Sequence, residues 1–122
     1  MEARAIQRTA RQSPRKMRLV VDLIRGRAVN EAFAILKFSK KGAAKQVSKV
    51  LLSAVANARE QSRKTDARLD EDALYVKAAW VDEGPALKRW MPAAMGRATP
   101  MIKRTSHVEI VVAERADRGG AR

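Results

Sequence analysis

The chain has 122 residues, with 26 Lys and Arg against 13 Asp and Glu, a formal net charge of +13 and a pI near 11.1. One domain with one modest core fits that length, and the excess charge costs self-repulsion that a polyanion would relieve. The absence of cysteine excludes disulfide staples and thiolate metal sites and fits a cytosolic setting. Apolar runs of only a few residues exclude a membrane-spanning helix, and the polar start Met1-Glu2-Ala3-Arg4 predicts no signal peptide.

Arg4, Arg8 and Arg11 come first, among small residues, with a short edge strand predicted over 5–8. Ser13-Pro14 then pairs an N-cap with proline at the first helical position, and Gly26 supplies a stop, so a helix is predicted over 14–25. Its stripe Met17, Val20, Val21, Ile24 has core spacing, while Arg15, Arg18 and Arg25 lie on another face with Asp22. Asn30 is expected to cap a second helix running to about Phe38, with Ala32, Phe33, Ile35 and Leu36 apolar, and Ser39-Lys40-Lys41-Gly42 breaks it. A third helix is predicted over about 43–61 on the stripe Val47, Val50, Leu51, Ala54, Val55, Ala58, followed by a polar loop over 63–72.

From 73 to 81 the pattern changes to alternation, predicting a half-buried strand with Leu74, Val76, Ala78 and Trp80 on one face. Residues 106–113 repeat it with Val108, Ile110 and Val112. Between them lies a segment that cannot bury itself. Pro85, Pro92 and Pro100 lack a backbone donor, Gly84 and Gly96 pack little, and beyond Glu83 every charged residue is a cation: Lys88, Arg89, Arg97, Lys103, Arg104. We expect residues 82–104 to be the distal part of one long hairpin joining the two strands, reaching roughly 35 Å beyond the sheet. The predicted fold class is α+β: three helices packed on a small antiparallel sheet, one domain over 1–122, a long extended β-hairpin arm and a flexible tail over about 114–122.

Enzyme chemistry lacks parts. His107 is the sole histidine, no Gly-rich phosphate loop or Ser-His-Asp set can be assembled, and the triplet Asp70-Glu71-Asp72 is expected to be solvated rather than a metal site. No catalytic residue, metal or cofactor is expected. The basic balance alone admits nucleic acid, an anionic membrane or an acidic protein. Nucleic acid is favoured because Arg4, Arg8, Arg11, Arg15, Lys16 and Arg18 form a dense N-terminal group, part of it at a helix start whose free N–H groups attract phosphate. Trp90, Met91 and Met95 near the arm tip can enter a crevice of a folded partner, with Trp90 available to stack on a base. A DNA-bending protein using Pro92 as a wedge is the competing reading, although three helices and a sheet suffice for a monomer, whereas such arms usually belong to intertwined dimers.

The run Val81-Asp82-Glu83-Gly84-Pro85, then Lys88-Arg89, Met91-Pro92, Gly96-Arg97 and Lys103-Arg104-Thr105-Ser106-His107 closely resembles the hairpin region of the bacterial large-subunit ribosomal protein L22 (uL22) family. Ser13-Pro14-Arg15-Lys16-Met17-Arg18-Leu19-Val20, Asp22-Leu23-Ile24-Arg25-Gly26 and Ser53-Ala54-Val55-Ala56-Asn57-Ala58 are similar to it as well, in the same order. The resemblance implies a structural constituent of the cytoplasmic ribosome's large subunit that binds 23S rRNA, aids early assembly, and sends its hairpin inward to line the nascent-peptide exit tunnel. Its implied partners are 23S rRNA, neighbouring large-subunit proteins and the nascent polypeptide, with the chain monomeric in the particle and no membrane involved. The implied RNA contacts are Arg4, Arg8, Arg11, Arg15, Lys16, Arg18, Lys88, Arg89, Arg97, Lys103 and Arg104. The implied tunnel-lining residues are Leu87, Lys88, Arg89, Trp90, Met91, Pro92, Ala93, Met95 and Gly96. Ahead of Gly96-Arg97 the family usually carries basic residues, where this chain has Ala93 and Met95.

Overall fold

The computed structural model describes residues 2–66 and 68–115. Five strands and three helices run in the order β1 (Glu2–Ala10), α1 (Pro14–Ile24), α2 (Val29–Phe38), α3 (Ala43–Thr65), β2 (Leu74–Glu83), β3 (Leu87–Pro92), β4 (Ala98–Lys103) and β5 (Ser106–Glu114). β1, β5 and β2 form an antiparallel sheet in that order, with β5 central, and β3 and β4 form a separate two-stranded sheet. This is the expected α+β class.

α1 begins as its sequence predicts. The Ser13 Oγ accepts the Lys16 N–H at 3.3 Å, Pro14 occupies the first turn, and Gly26 takes a positive φ of 82° just after the helix. Met17, Val20, Val21 and Ile24 are fully buried, contributing on the order of 6 to 12 kcal/mol of transfer free energy as an upper bound. The predicted α3 stripe is buried in full as well, and its alanines let the helix lie close against β1 and β5. α3 continues four residues past the expected end, stopping where Asp66 turns left-handed at φ 58°.

Three expectations change. Asn30 is not a cap: α2 starts at Val29 with Ala28 before it, no side chain capping, and the Asn30 amide instead reaches the Asp72 carboxylate. Ala78 and Trp80 do not face the core. The pairing passes from Val76–Val112 to Ala78–Val111, so Lys77 and Ala78 together oppose Val111 in a bulge, and Ala79 and Val81 become the buried pair while Trp80 is 39% exposed. The hairpin is also not continuous. Asp82 and Glu83 still pair with His107 and Ser106 in the main sheet, pairing lapses over 84–86 and 104–105, and the arm ladder resumes at Leu87–Lys103. Six pairs make that ladder roughly 20 Å long.

β1 is an edge strand but runs from Glu2 to Ala10, longer than predicted, with a second bulge between Gln7 and Ala10. His107 has a structural task there: its Nδ1 accepts the Thr9 N–H at 2.9 Å, where Thr9 takes a φ of 56°. Of the expected tail, Glu114 belongs to β5 and the Arg115 guanidinium lies 4.4 Å from the Tyr75 ring centre; residues 116–122 lie outside the described residues.

Candidate nucleic-acid interface

The arm's base is a short joint built from contacts distant in sequence. The Gly84 N–H donates to the Thr105 carbonyl at 3.0 Å, and the Thr105 hydroxyl, on a residue only 1% exposed, donates to the Pro85 carbonyl at 2.5 Å. The Ser106 hydroxyl, also buried, donates to the Gln12 carbonyl. Gly84 has to be small: a β-carbon there would sit 2.5 Å from the Thr105 hydroxyl and 3.2 Å from the His107 ring.

Beyond the joint the arm has no core. Register places Lys88, Trp90, Pro92, Ala98, Pro100 and Ile102 on one face and Leu87, Arg89, Met91, Thr99, Met101 and Lys103 on the other, so each face mixes cations with large apolar groups. Trp90 is 67% exposed and Met95 96% exposed. The Ala93 N–H donates to the Arg97 carbonyl, which makes that pair hydrogen-bonded and leaves Pro92–Ala98 and Trp90–Pro100 on non-hydrogen-bonded positions. Both prolines therefore cost the ladder nothing. At the tip Met95 and Gly96 are both left-handed, with φ 61° and 73°. A two-stranded ribbon with both edges open is marginal in water on its own.

The structure gathers most of the predicted cations around this base. Arg11, Lys16, Lys103 and Arg104 line one cleft together with Gln12, and Arg15, Arg18 and Arg104 line its neighbour together with Glu83. Arg15 and Lys16 lie in the first turn of α1, which has no acidic residue. Cations at the positive end of a helix dipole are unfavourable unless an anion is brought to them. Arg18 also serves the fold, donating to the Val81 carbonyl at 3.0 Å, while the Arg25 guanidinium makes two bonds to the Ala79 carbonyl. These two arginines cover the open edge of β2. Arg8 is exposed in the β1 bulge, near the arm end of the sheet. Arg4 is not brought to the cluster: it pairs with Glu109 at 3.2 Å on the helix-free face of the sheet. Lys88, Arg89 and Arg97 remain out on the arm. Glu83 and Gln12, which line the clefts, were not singled out by sequence; only the fold brings them there.

The acidic triplet is engaged within the protein. Asp70 accepts the Asp72 N–H, Glu71 pairs with Arg59 at 2.7 Å, and Asp72 meets Asn30. Among the described residues no group of His, Asp and Glu is arranged to hold a metal ion, and no helix is long and apolar enough to cross a membrane.

The family model described as Ribosomal protein L22p/L17e matches residues 5–113, which takes in the body, the joint and the whole arm. The chain belongs to the ribosomal protein L22 family. A relative from Clostridium novyi (strain NT), named large ribosomal subunit protein uL22, is 55% identical over 116 residues, covering 95% of this chain and 100% of its own. Proteins of the same name from Pelotomaculum thermopropionicum and Myxococcus xanthus are 50% identical over 117 residues and 53% identical over 114 residues, with 96% and 93% of this chain covered and 99% and 97% of theirs. Membership makes the chain a structural constituent of the large ribosomal subunit rather than an enzyme.

Proposed function

We propose that the chain binds 23S rRNA through the cations at the arm's base and along the arm, aids subunit assembly, and lines the nascent-peptide exit tunnel with residues 87–96. The chain acts as a single domain from which the arm projects. One observation carries the reading: Arg11, Arg15, Lys16, Lys103 and Arg104 converge on the joint with no ion-paired carboxylate among the described residues, beside an arm that has no core of its own. Phosphate neutralisation supplies affinity, and the arm's shape supplies selectivity for one crevice of folded RNA. The bound arm then gains on both faces the apolar and anionic surroundings that water does not give it. Arg4 takes part at the far end of the sheet only by exchanging its carboxylate partner for a phosphate.

The test replaces residues 87–103 with a short Gly/Ser turn. Because β2 and β5 pair independently of the arm, the shortened protein should melt cooperatively and still bind 23S rRNA, with a smaller salt dependence. Subunits reconstituted with it should have a tunnel wall altered at the arm's position. Loss of cooperative melting, or RNA affinity indifferent to salt in the parent protein, would contradict the proposal.

A further inference from the structure

We infer that the lysine surface at the α2–α3 junction is a second binding site for an RNA phosphodiester backbone, contiguous with the clefts at the arm's base. The inference rests on the RNA-binding reading above and adds a site to it.

Lys37, Lys40, Lys41, Lys45 and Lys49 fall in a stretch with no Asp or Glu between Glu31 and Glu60. The fold gathers them around one groove, floored by Phe33 and Leu36 and formed where the end of α2 meets the first turns of α3. Lys45 and Lys49 are one helical turn apart, and like charges at that spacing oppose the helix. Among the described residues no carboxylate pairs with either to offset this. Elsewhere several cations of the fold have carboxylate partners: Arg25 with Asp22, Arg27 with Glu31, Arg59 with Glu71, Arg63 with Glu60, Lys77 with Glu2. Among the described residues none of the five lysines has one, so their charge is left for an external anion.

The anion's class follows from the residue type and its neighbours. Lysines act as point charges without the fork that reads base edges or fixes a carboxylate, which suits sequence-independent contact with phosphates. Phe38 stands 79% exposed in this field, with the Lys37 ammonium 5.9 Å from its ring centre. An aromatic ring held open among cations is what an unpaired base stacks upon, and an acidic peptide has no equivalent use for it. The surface also continues into the first site. A β-carbon on Gly42 would meet the Gln12 side chain at 3.7 Å, and Gln12 lines the cleft of Arg11, Lys103 and Arg104. One RNA tract can therefore run from the lysine groove past Gln12 to the arm, tying two regions of a folded RNA to one protein body.

The experiment uses the full chain and a 23S rRNA transcript, with binding measured across a salt series. One variant carries Lys40→Gln, Lys41→Gln and Lys45→Gln; a second carries Arg11→Gln, Lys103→Gln and Arg104→Gln. All six residues are exposed, and unchanged thermal melting verifies the fold. Three lost phosphate contacts should reduce the slope of log affinity against log salt by about 2 to 3 in each variant. If the arm-base variant loses slope and the lysine variant does not, the second site is overturned while RNA binding at the arm stands. If the lysine variant alone loses slope, the second site is supported and the arm-base reading fails. Loss in neither overturns both.

Discussion

Gly84→Ala places one methyl group where the structure leaves no room for it. The added carbon would lie 2.5 Å from the Thr105 hydroxyl oxygen and 3.3 Å from the Thr105 carbonyl carbon. Thr105 cannot swing aside at no cost, since its hydroxyl is bonded to the Pro85 carbonyl in a site that is almost fully buried. Breaking that bond leaves a buried polar pair unmet, about 1 to 3 kcal/mol, and overpacking adds a further ~1 to 3 kcal/mol. Reduced freedom of the unfolded chain returns only about 0.4 to 1 kcal/mol. The net expectation is a loss of roughly 1 to 6 kcal/mol, about 3 kcal/mol at the middle of that range, which lowers the melting temperature by about 10 °C for a domain of this size. Thermal melting of four proteins measures it: parent, Gly84→Ala, Thr105→Ala and the double variant. If the clash with the hydroxyl is the cause, Gly84→Ala should cost at least about 1 kcal/mol less when Thr105 is already truncated. A neutral Gly84→Ala, or strictly additive effects, would refute the steric account of the joint.

Deleting Lys77 should leave the protein folded, because Ala79 and Val81 keep to the core face once the bulge is removed; deleting Glu109 from β5, which has no extra residue to absorb the loss, puts Val108 and Ile110 on opposite faces and should abolish cooperative melting. Equal damage from both deletions would contradict the register. Arg25→Lys removes the two-pronged bond to the Ala79 carbonyl and should cost about 1 kcal/mol in urea denaturation, and an unchanged midpoint would deny the arginine its edge-covering role. The Arg59 hydrogen bond holds the Glu71 carboxyl below its ordinary value of 4.5, and the Lys77 hydrogen bond does the same for Glu2. A depressed carboxyl stabilises above the unfolded value, and that stability is lost as pH falls through the folded one. The melting temperature should therefore fall less steeply below about pH 4.5 in a Glu2→Gln/Glu71→Gln variant than in the parent; parallel profiles would show that neither pair matters.

Where local chemistry and periodicity agree, the fold is legible in the sequence. α1 carries its own cap, its proline and its terminating glycine, and β5 alternates without interruption, so both match closely. β2 misleads because its bulge falls beside two alanines that suit either face, and simple alternation then assigns Trp80 to the core. Asn30 is a good capping residue, but the backbone enters α2 two residues earlier through Ala28, which bridges to Tyr75. The joint is illegible for another reason: the need for glycine at 84 arises from Thr105 and His107, neighbours supplied only by tertiary structure. The cations show the same division. Composition reveals their excess, but only the fold separates those with carboxylate partners, such as Arg4 and Lys77, from the unpaired set around the arm's base. The lysine groove had one sequence signal, the carboxylate-free run between Glu31 and Glu60.

Directed hydroxyl-radical cleavage tests the central claim most directly, because the chain has no cysteine and a single one can carry the probe. In reconstituted large subunits, a probe tethered at Met95→Cys should cut 23S rRNA strongly and locally, since the tip is exposed in the free protein and the proposed function encloses it in RNA in the particle. Strong cutting from Lys77→Cys on the ion-paired face of the sheet, with none from Met95→Cys, would contradict the account.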